Sequence, residues 1–498
     1  MLSSLCSDAM PDSGRLWGMG NGSADAFAWQ WHGFAPAVRL RQKWDRRGPG
    51  EGDIQARAFS RRRIYWLALA LIAIFLVALL DQLVPKLLSL HRHRPIVASS
   101  GAPQSYKAAL HDIDQIIEGD RALADARSGE WLMQERLANA YIGRARLTGS
   151  FDDYVAAQAA LDRAFATAAP GTGPHLTQAV LAFNLHRLAQ TGAALDAIDH
   201  YSVMGQHEVH DEAVAMRGDL AFYRGQYAEA LNLYRQGQGF SEGSFRMAVY
   251  LSRTGAPDEA LAAIDSMEAG IKFPTAQLLS NLALLRGSIE LQRGEWSKAT
   301  EYFRRADAIF PGSWLIEAHL AQMLAMSGKR EQAARQYEAI ARRSGVPEVM
   351  DALAGLYRAQ GDAARATFWA DQAGQIWARR LGQLPEAAYG HAVEHELAFG
   401  NPDRALALAQ QDYKARPYGV TAIALAWAYI GANRPADALR IIDPVLRSAW
   451  VSADQHIVAA QAHLLLGQTE EADAERQKAL AINPRSFDRE AALIWFGH

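Results

Sequence analysis

Residues 286–311 read RGSIELQRGEWSKATEYFRRADAIFP, and this stretch decides the architecture. Its two halves carry small residues, Gly287 and Ala299, where a large side chain would hold two helices apart. Between them Gly294 supplies the flexible residue that ends a first helix and turns the chain back. Pro311 cannot continue a second helix and closes the unit. Large side chains such as Phe303, four residues past the alanine, are left to fill the space between layers.

Working outward, the same phase recurs. Turn residues fall at Gly225, Gly255, Gly294, Gly328, Gly361, Gly400, Asn433 and Gly467, spaced 30, 39, 34, 33, 39, 33 and 34 apart. Five residues after each stands an alanine: Ala230, Ala260, Ala299, Ala333, Ala366, Ala405, Ala438 and Ala472. Seven residues before each stands a small or modest residue: Gly218, Ala248, Gly287, Ala321, Ala354, Val393, Ala426 and Ala460. Three positions held in phase over eight turns define an internal repeat. Tyr234 and Tyr337 repeat the role of Phe303, and Pro484 that of Pro311. The chain past residue 105 is rich in Ala and Leu with almost no β-branched runs, so an all-α fold is expected there.

This pattern resembles the tetratricopeptide repeat family, whose 34-residue helix–turn–helix has small residues at its eighth and twentieth positions and proline at its thirty-second. The resemblance implies a right-handed superhelical solenoid over residues 105–498, with clear repeats in 211–485. Degenerate repeats are expected over 131–205, where Tyr141, Gly149, Gly192 and Ala197 echo the pattern with altered spacing. The two 39-residue spacings imply longer loops, one of them near 374–385. Residues 486–498 should begin a terminal helix whose apolar end, Leu493-Ile494-Trp495-Phe496, folds back over the final repeat.

The resemblance also implies a concave groove that binds proteins or peptides. If the family's groove positions carry over, the lining includes Asp219, Tyr223, Arg253, Gln292, Gln322, Met326, Arg358, Glu394, Trp427 and Gln461. Members that clamp a chaperone's terminal carboxylate use asparagine at the ninth position. Here the ninth positions are Asp219, Val249, Ser288, Gln322, Gly355, Glu394, Trp427 and Gln461, so that clamp is absent.

Ahead of the repeats, residues 64–80 read IYWLALALIAIFLVALL, an uninterrupted apolar run. At 1.5 Å per residue it covers about 25 Å, close to a bilayer's hydrocarbon core. Tyr65 and Trp66 suit the interface, and Arg61, Arg62 and Arg63 stop the helix entering further. A transmembrane helix over 61–83 is therefore expected to anchor the chain in the lipid bilayer. The preceding flank carries Arg46, Arg47, Arg57, Arg61, Arg62 and Arg63, the following one only Lys86, Arg92 and Arg94. That bias places the repeats on the outer face, the periplasm if the membrane is a bacterial inner membrane. Residues 1–60 read as a disordered tail, and 84–104, broken by Pro85, Pro95 and Pro103, as a juxtamembrane linker.

Composition narrows the function classes. The net charge of −3 and pI near 6.6 leave no basic surplus for a phosphate backbone, so nucleic acid is not an expected partner. The single cysteine, Cys6, excludes an internal disulfide, and Leu5 before it does not suit lipid attachment. His391 and His395 stand one helical turn apart, a spacing that could share a metal, yet glutamate does not follow the first histidine as in zinc proteases. No phosphate-binding loop or nucleophile elbow is visible. The expectation is a non-enzymatic, cofactor-free membrane-anchored scaffold of envelope assembly or export. Its rivals are a cytoplasm-facing adaptor of opposite topology and a metal-dependent enzyme using His391 and His395.

Overall fold

A computed structural model describes residues 101–202, 207–236, 245–271 and 274–496. The expected tail at 1–60, the span at 61–83, Cys6 and most of the linker at 84–104 lie outside the described residues. Among the described residues no helix is long and apolar enough to cross a membrane.

The described residues are all-helical. The chain opens with α1 (Tyr106–Ala126), α2 (Trp131–Thr148), α3 (Phe151–Thr167), α4 (His175–Asn184) and α5 (Leu188–Ile198). Next come α6 (His207–Tyr223), α7 (Tyr227–Gln236), α8 (Phe245–Arg253), α9 (Pro257–Gly270), α10 (Ala276–Gln292) and α11 (Trp296–Ile309). The central repeats are α12 (Trp314–Met326), α13 (Arg330–Ser344), α14 (Pro347–Ala359), α15 (Ala363–Gln383), α16 (Pro385–Phe399) and α17 (Pro402–Ala415). The array ends with α18 (Gly419–Gly431), α19 (Pro435–Leu446), α20 (Ala453–Leu465) and α21 (Thr469–Ile482). From α2 onward the helices pack in consecutive pairs, and each pair packs on the next.

Local chemistry explains the boundaries. Gly225, Gly255, Gly294, Gly328, Gly361 and Gly467 all have φ between 73° and 83°, and Asn433 has φ 57°. A left-handed residue at each turn lets the following N–H groups reach the last helical carbonyls, and glycine adopts that conformation without a Cβ penalty. Gly400 departs from this, with φ −110° and ψ −131°. There Asn401 starts the next helix instead, its side chain accepting from the N–H groups of Asp403 and Arg404 ahead of Pro402.

The small positions do what their phase implies. A Cβ on Gly218 would lie 2.6 Å from the Tyr234 ring, and one on Gly287 would lie 2.3 Å from Phe303. Each glycine therefore makes room for the large residue of the partner helix. Ala230, Ala260, Ala299, Ala333, Ala405 and Ala438 are wholly buried at the same contacts.

Two expectations on the repeats are corrected. The extra residues between Gly361 and Gly400 do not form a loop near 374–385; they lengthen α15 to 21 residues. Ala-rich sequence with no proline before Pro385 gives the helix no reason to stop. The described residues after α21 do not begin a full helix either: a single 3-10 turn, Arg489–Leu493, is followed by extended chain at Ile494.

The described residues all fall in one compact unit, and its winding brings distant repeats together. Tyr106 N–H donates to Pro311 O at 3.1 Å. Arg380 donates to Gly149 O at 3.1 Å, and His186 Nδ1 lies 3.2 Å from Glu386 O. Val451 N–H donates to Arg253 O at 2.8 Å. The Arg485 guanidinium sits 3.5 Å from the centre of the Trp296 ring. Turns inside early repeats thus meet loops between late repeats, at a separation of 200 residues for His186–Glu386.

Candidate functional site

The winding sets what the expected groove positions can do. Tyr223 is buried, its ring 4.7 Å from Tyr418 and 5.1 Å from Phe183. Arg253 lies over Trp450 at 5.5 Å, and Trp427 is buried in the same cluster as Tyr223 and Tyr418. Asp219 is buried as well, accepting from Tyr234 Oη at 2.9 Å and Arg246 Nε at 2.7 Å. Burial pushes its carboxyl up to about 6, against the pull of Arg246. These four positions pack against the chain's own repeats. Gln292, Glu394 and Gln461 are part-exposed.

The remaining positions converge on one place. Gln322 on α12 is wholly buried, and its amide reads the backbone of the segment after α21. Its Oε1 accepts from Trp495 N–H at 2.6 Å and from Phe496 N–H at 2.7 Å, while Nε2 donates to Phe496 O at 2.9 Å. The apolar tail therefore folds back, but onto α12 and α14 rather than over the final repeat. Gln322 satisfies three of its backbone groups at once.

The side chains of the tail occupy defined spaces. A Cβ on Gly355 of α14 would lie 2.8 Å from Trp495 Nε1, so only glycine leaves this slot open. Phe399 stacks on the indole, centroids 5.9 Å apart and planes 7° from parallel. Arg358 covers Phe399 at 4.7 Å and donates to Ala398 O at 2.6 Å. Phe496 is buried 5.6 Å from the His319 ring and 6.4 Å from the Tyr337 ring, in one cluster with Met326. His319 Nδ1 bonds Leu315 O at 2.9 Å, but His319 Nε2 and Tyr337 Oη are buried without a hydrogen-bond partner. Burial holds the His319 imidazole down to about 4 and pushes the Tyr337 phenol well up.

Sequence reasoning placed Gln322, Met326 and Arg358 in the groove but missed Gly355, Phe399 and His319. One signal was present: Gly355 is the only glycine among the ninth positions, where the other repeats carry a side chain.

The histidine pair behaves differently from a shared metal site. His395 Nδ1 lies 2.7 Å from Asp351 Oδ1, whose other oxygen accepts from Trp377 Nε1 at 2.8 Å. Burial opposes charge on His395, and the Asp351 hydrogen bond overrides it, raising the imidazole above its usual value. His391 stacks on Trp377 at 5.6 Å and faces Glu394 at 3.3 Å. Each imidazole thus pairs with a different carboxylate. Among the described residues no group of three or more His, Cys, Asp or Glu is placed to hold a metal ion.

No family model and no curated protein matches the chain. Solved structures do resemble it at low identity. A tetratricopeptide repeat protein from Parabacteroides merdae is 17% identical over 50% of this chain and 95% of its own, with a TM-score of 0.32. Yeast Tom70 is 13% identical over 79% of this chain and 86% of its own, TM-score 0.31. A human IFIT1 dimer with PPP-AAAA is 12% identical over 74% of this chain and 94% of its own, TM-score 0.33.

Proposed function

We propose that the chain is a membrane-anchored scaffold whose repeats hold protein segments, in bacterial envelope assembly or export, and that it performs no catalysis. The observation that carries this reading is that the repeats already hold polypeptide: Gln322 makes three hydrogen bonds to the backbone of Trp495 and Phe496. Backbone bonds of this kind serve any extended segment, and neighbouring pockets supply selectivity. Anchoring through residues 64–80 would raise the effective concentration of the repeats near membrane partners without adding a contact. The charge bias around that run supports repeats in the periplasm.

Crosslinking in intact cells, followed by affinity capture and mass spectrometry, tests the scaffold. One reproducible set of envelope proteins is the expected result, and cytoplasmic proteins alone would reverse the topology. Alkaline phosphatase fused after His498 should be active; an inactive fusion of normal abundance favours the cytoplasm-facing adaptor. Stoichiometric zinc lost on His395→Ala would overturn the non-enzymatic reading.

A further inference from the structure

We infer that the space between α12, α14 and α16 is a recognition site for an extended protein segment bearing two adjacent aromatic residues, the second polar-tipped, and that Trp495–Phe496 is its displaceable stand-in. The inference rests on the scaffold reading above and adds what the held segment looks like. Gln322 fixes the backbone by bonds that no particular sequence is needed to make. The Gly355 slot and the Phe399 ring then select a flat aromatic at the first position.

The second position is mismatched to its present occupant. Phe496 has an apolar ring, yet its pocket includes His319 and Tyr337, each with a buried polar atom that has no partner. Desolvated polar atoms are expensive when unpaired, so a native pocket rarely keeps two beside one apolar side chain. A tyrosine in place of Phe496 would bring a hydroxyl that both donates and accepts, and could satisfy one or both. The stand-in is held by being tethered, through the short run between α21 and the 3-10 turn, rather than by full complementarity. A tether supplies a high effective concentration, so a better-matched segment displaces it only when its own affinity exceeds that advantage.

The test uses the full chain in detergent and two fluorescent peptides spanning residues 487–496, one as in the sequence and one with Phe496→Tyr. The host carries Trp495→Pro and Phe496→Pro, which remove both rings and both N–H donors to Gln322, with its helicity checked by circular dichroism. Both peptides should bind this host, the tyrosine peptide about fivefold tighter, as one added hydrogen bond gives. Binding to the unaltered chain should be at least tenfold weaker, because the stand-in competes. No binding to a folded host overturns the site, and a phenylalanine peptide that binds as tightly as the tyrosine one overturns the polar tip. Gly355→Leu, which fills the indole slot, gives a second check in cells. If its crosslinked partners are unchanged, the site fails while the scaffold reading stands; if no partner is captured from either chain, the scaffold reading itself fails.

Discussion

The backbone N–H of Gly419 donates to the hydroxyl of Tyr227 at 3.0 Å, across 192 residues of chain. Gly419 opens α18, where a first-turn N–H has no partner within its own helix, and Tyr227 opens α7. Around the bond, Phe222, Tyr223, Tyr418 and Trp450 pack ring against ring. One hydroxyl thus closes a seam between two repeats far apart in the chain.

Tyr227→Phe keeps the ring and removes the acceptor, leaving the Gly419 N–H buried and unpaired. It should lower stability by about 1–3 kcal/mol, read by urea unfolding. Gly419→Ala should lower it further, because a Cβ there would lie 2.2 Å from the Trp450 ring. Unchanged melts for both would show that the seam contributes nothing.

The repeat register is open to a paired substitution. Gly287→Leu drives a side chain into Phe303 and should cost about 3 kcal/mol by overpacking. Phe303→Ala opens a cavity and costs about 3–5 kcal/mol alone. The double variant should be more stable than the sum of the two losses, since the leucine refills the space. Strict additivity would place the two residues apart. Ala299→Trp, at the same wholly buried contact, should unfold the middle repeats.

Acid should act through His319. Its folded value of about 4 lies below the ordinary 6.5 of imidazole, so the unfolded chain binds this proton more readily. The contribution is complete above pH 6.5 and is lost as pH falls from there toward 4, reaching about 3 kcal/mol. Asp219 and Asp454, both pushed up to about 6, also titrate in this range. The difference between the native chain and His319→Phe therefore isolates the histidine. A flat difference between pH 7 and 4 would show that the imidazole is not desolvated.

Arg380 joins α15 to the early repeats. It donates to Gly149 O, pairs with Glu348 at 3.1 Å and lies over the Phe151 ring at 4.4 Å. Arg380→Ala strands the partly buried Glu348 and should cost about 3 kcal/mol. Hydrogen exchange should quicken at the turn between α2 and α3, about 230 residues away in sequence. Equal exchange there in both chains would contradict the contact.

How much was legible follows from the range of each interaction. Gly287 and Phe303 lie 16 residues apart, on helices joined by one turn, so their complementarity appears as a phase that recurs along the chain. Gln322 could be assigned to the inner face for the same reason. What it holds could not be read, because its partner lies 174 residues on and forms no periodic pattern with it. The surplus residues of α15 looked like a loop by spacing alone, since their purpose, reaching Gly149 and Phe151, lies outside their repeat.

The sequence by itself determined the helix pairs, their turns and the small contacts that let them close, because those depend on neighbours one turn away. Only the tertiary structure decided which repeats meet and where the segment after α21 comes to rest. Small rotations between successive repeats add up along the array, and their sum sets the contacts between its distant parts. No residue carries that sum. It buries Tyr223 and Trp427 against the chain itself and brings Trp495 and Phe496 to Gln322.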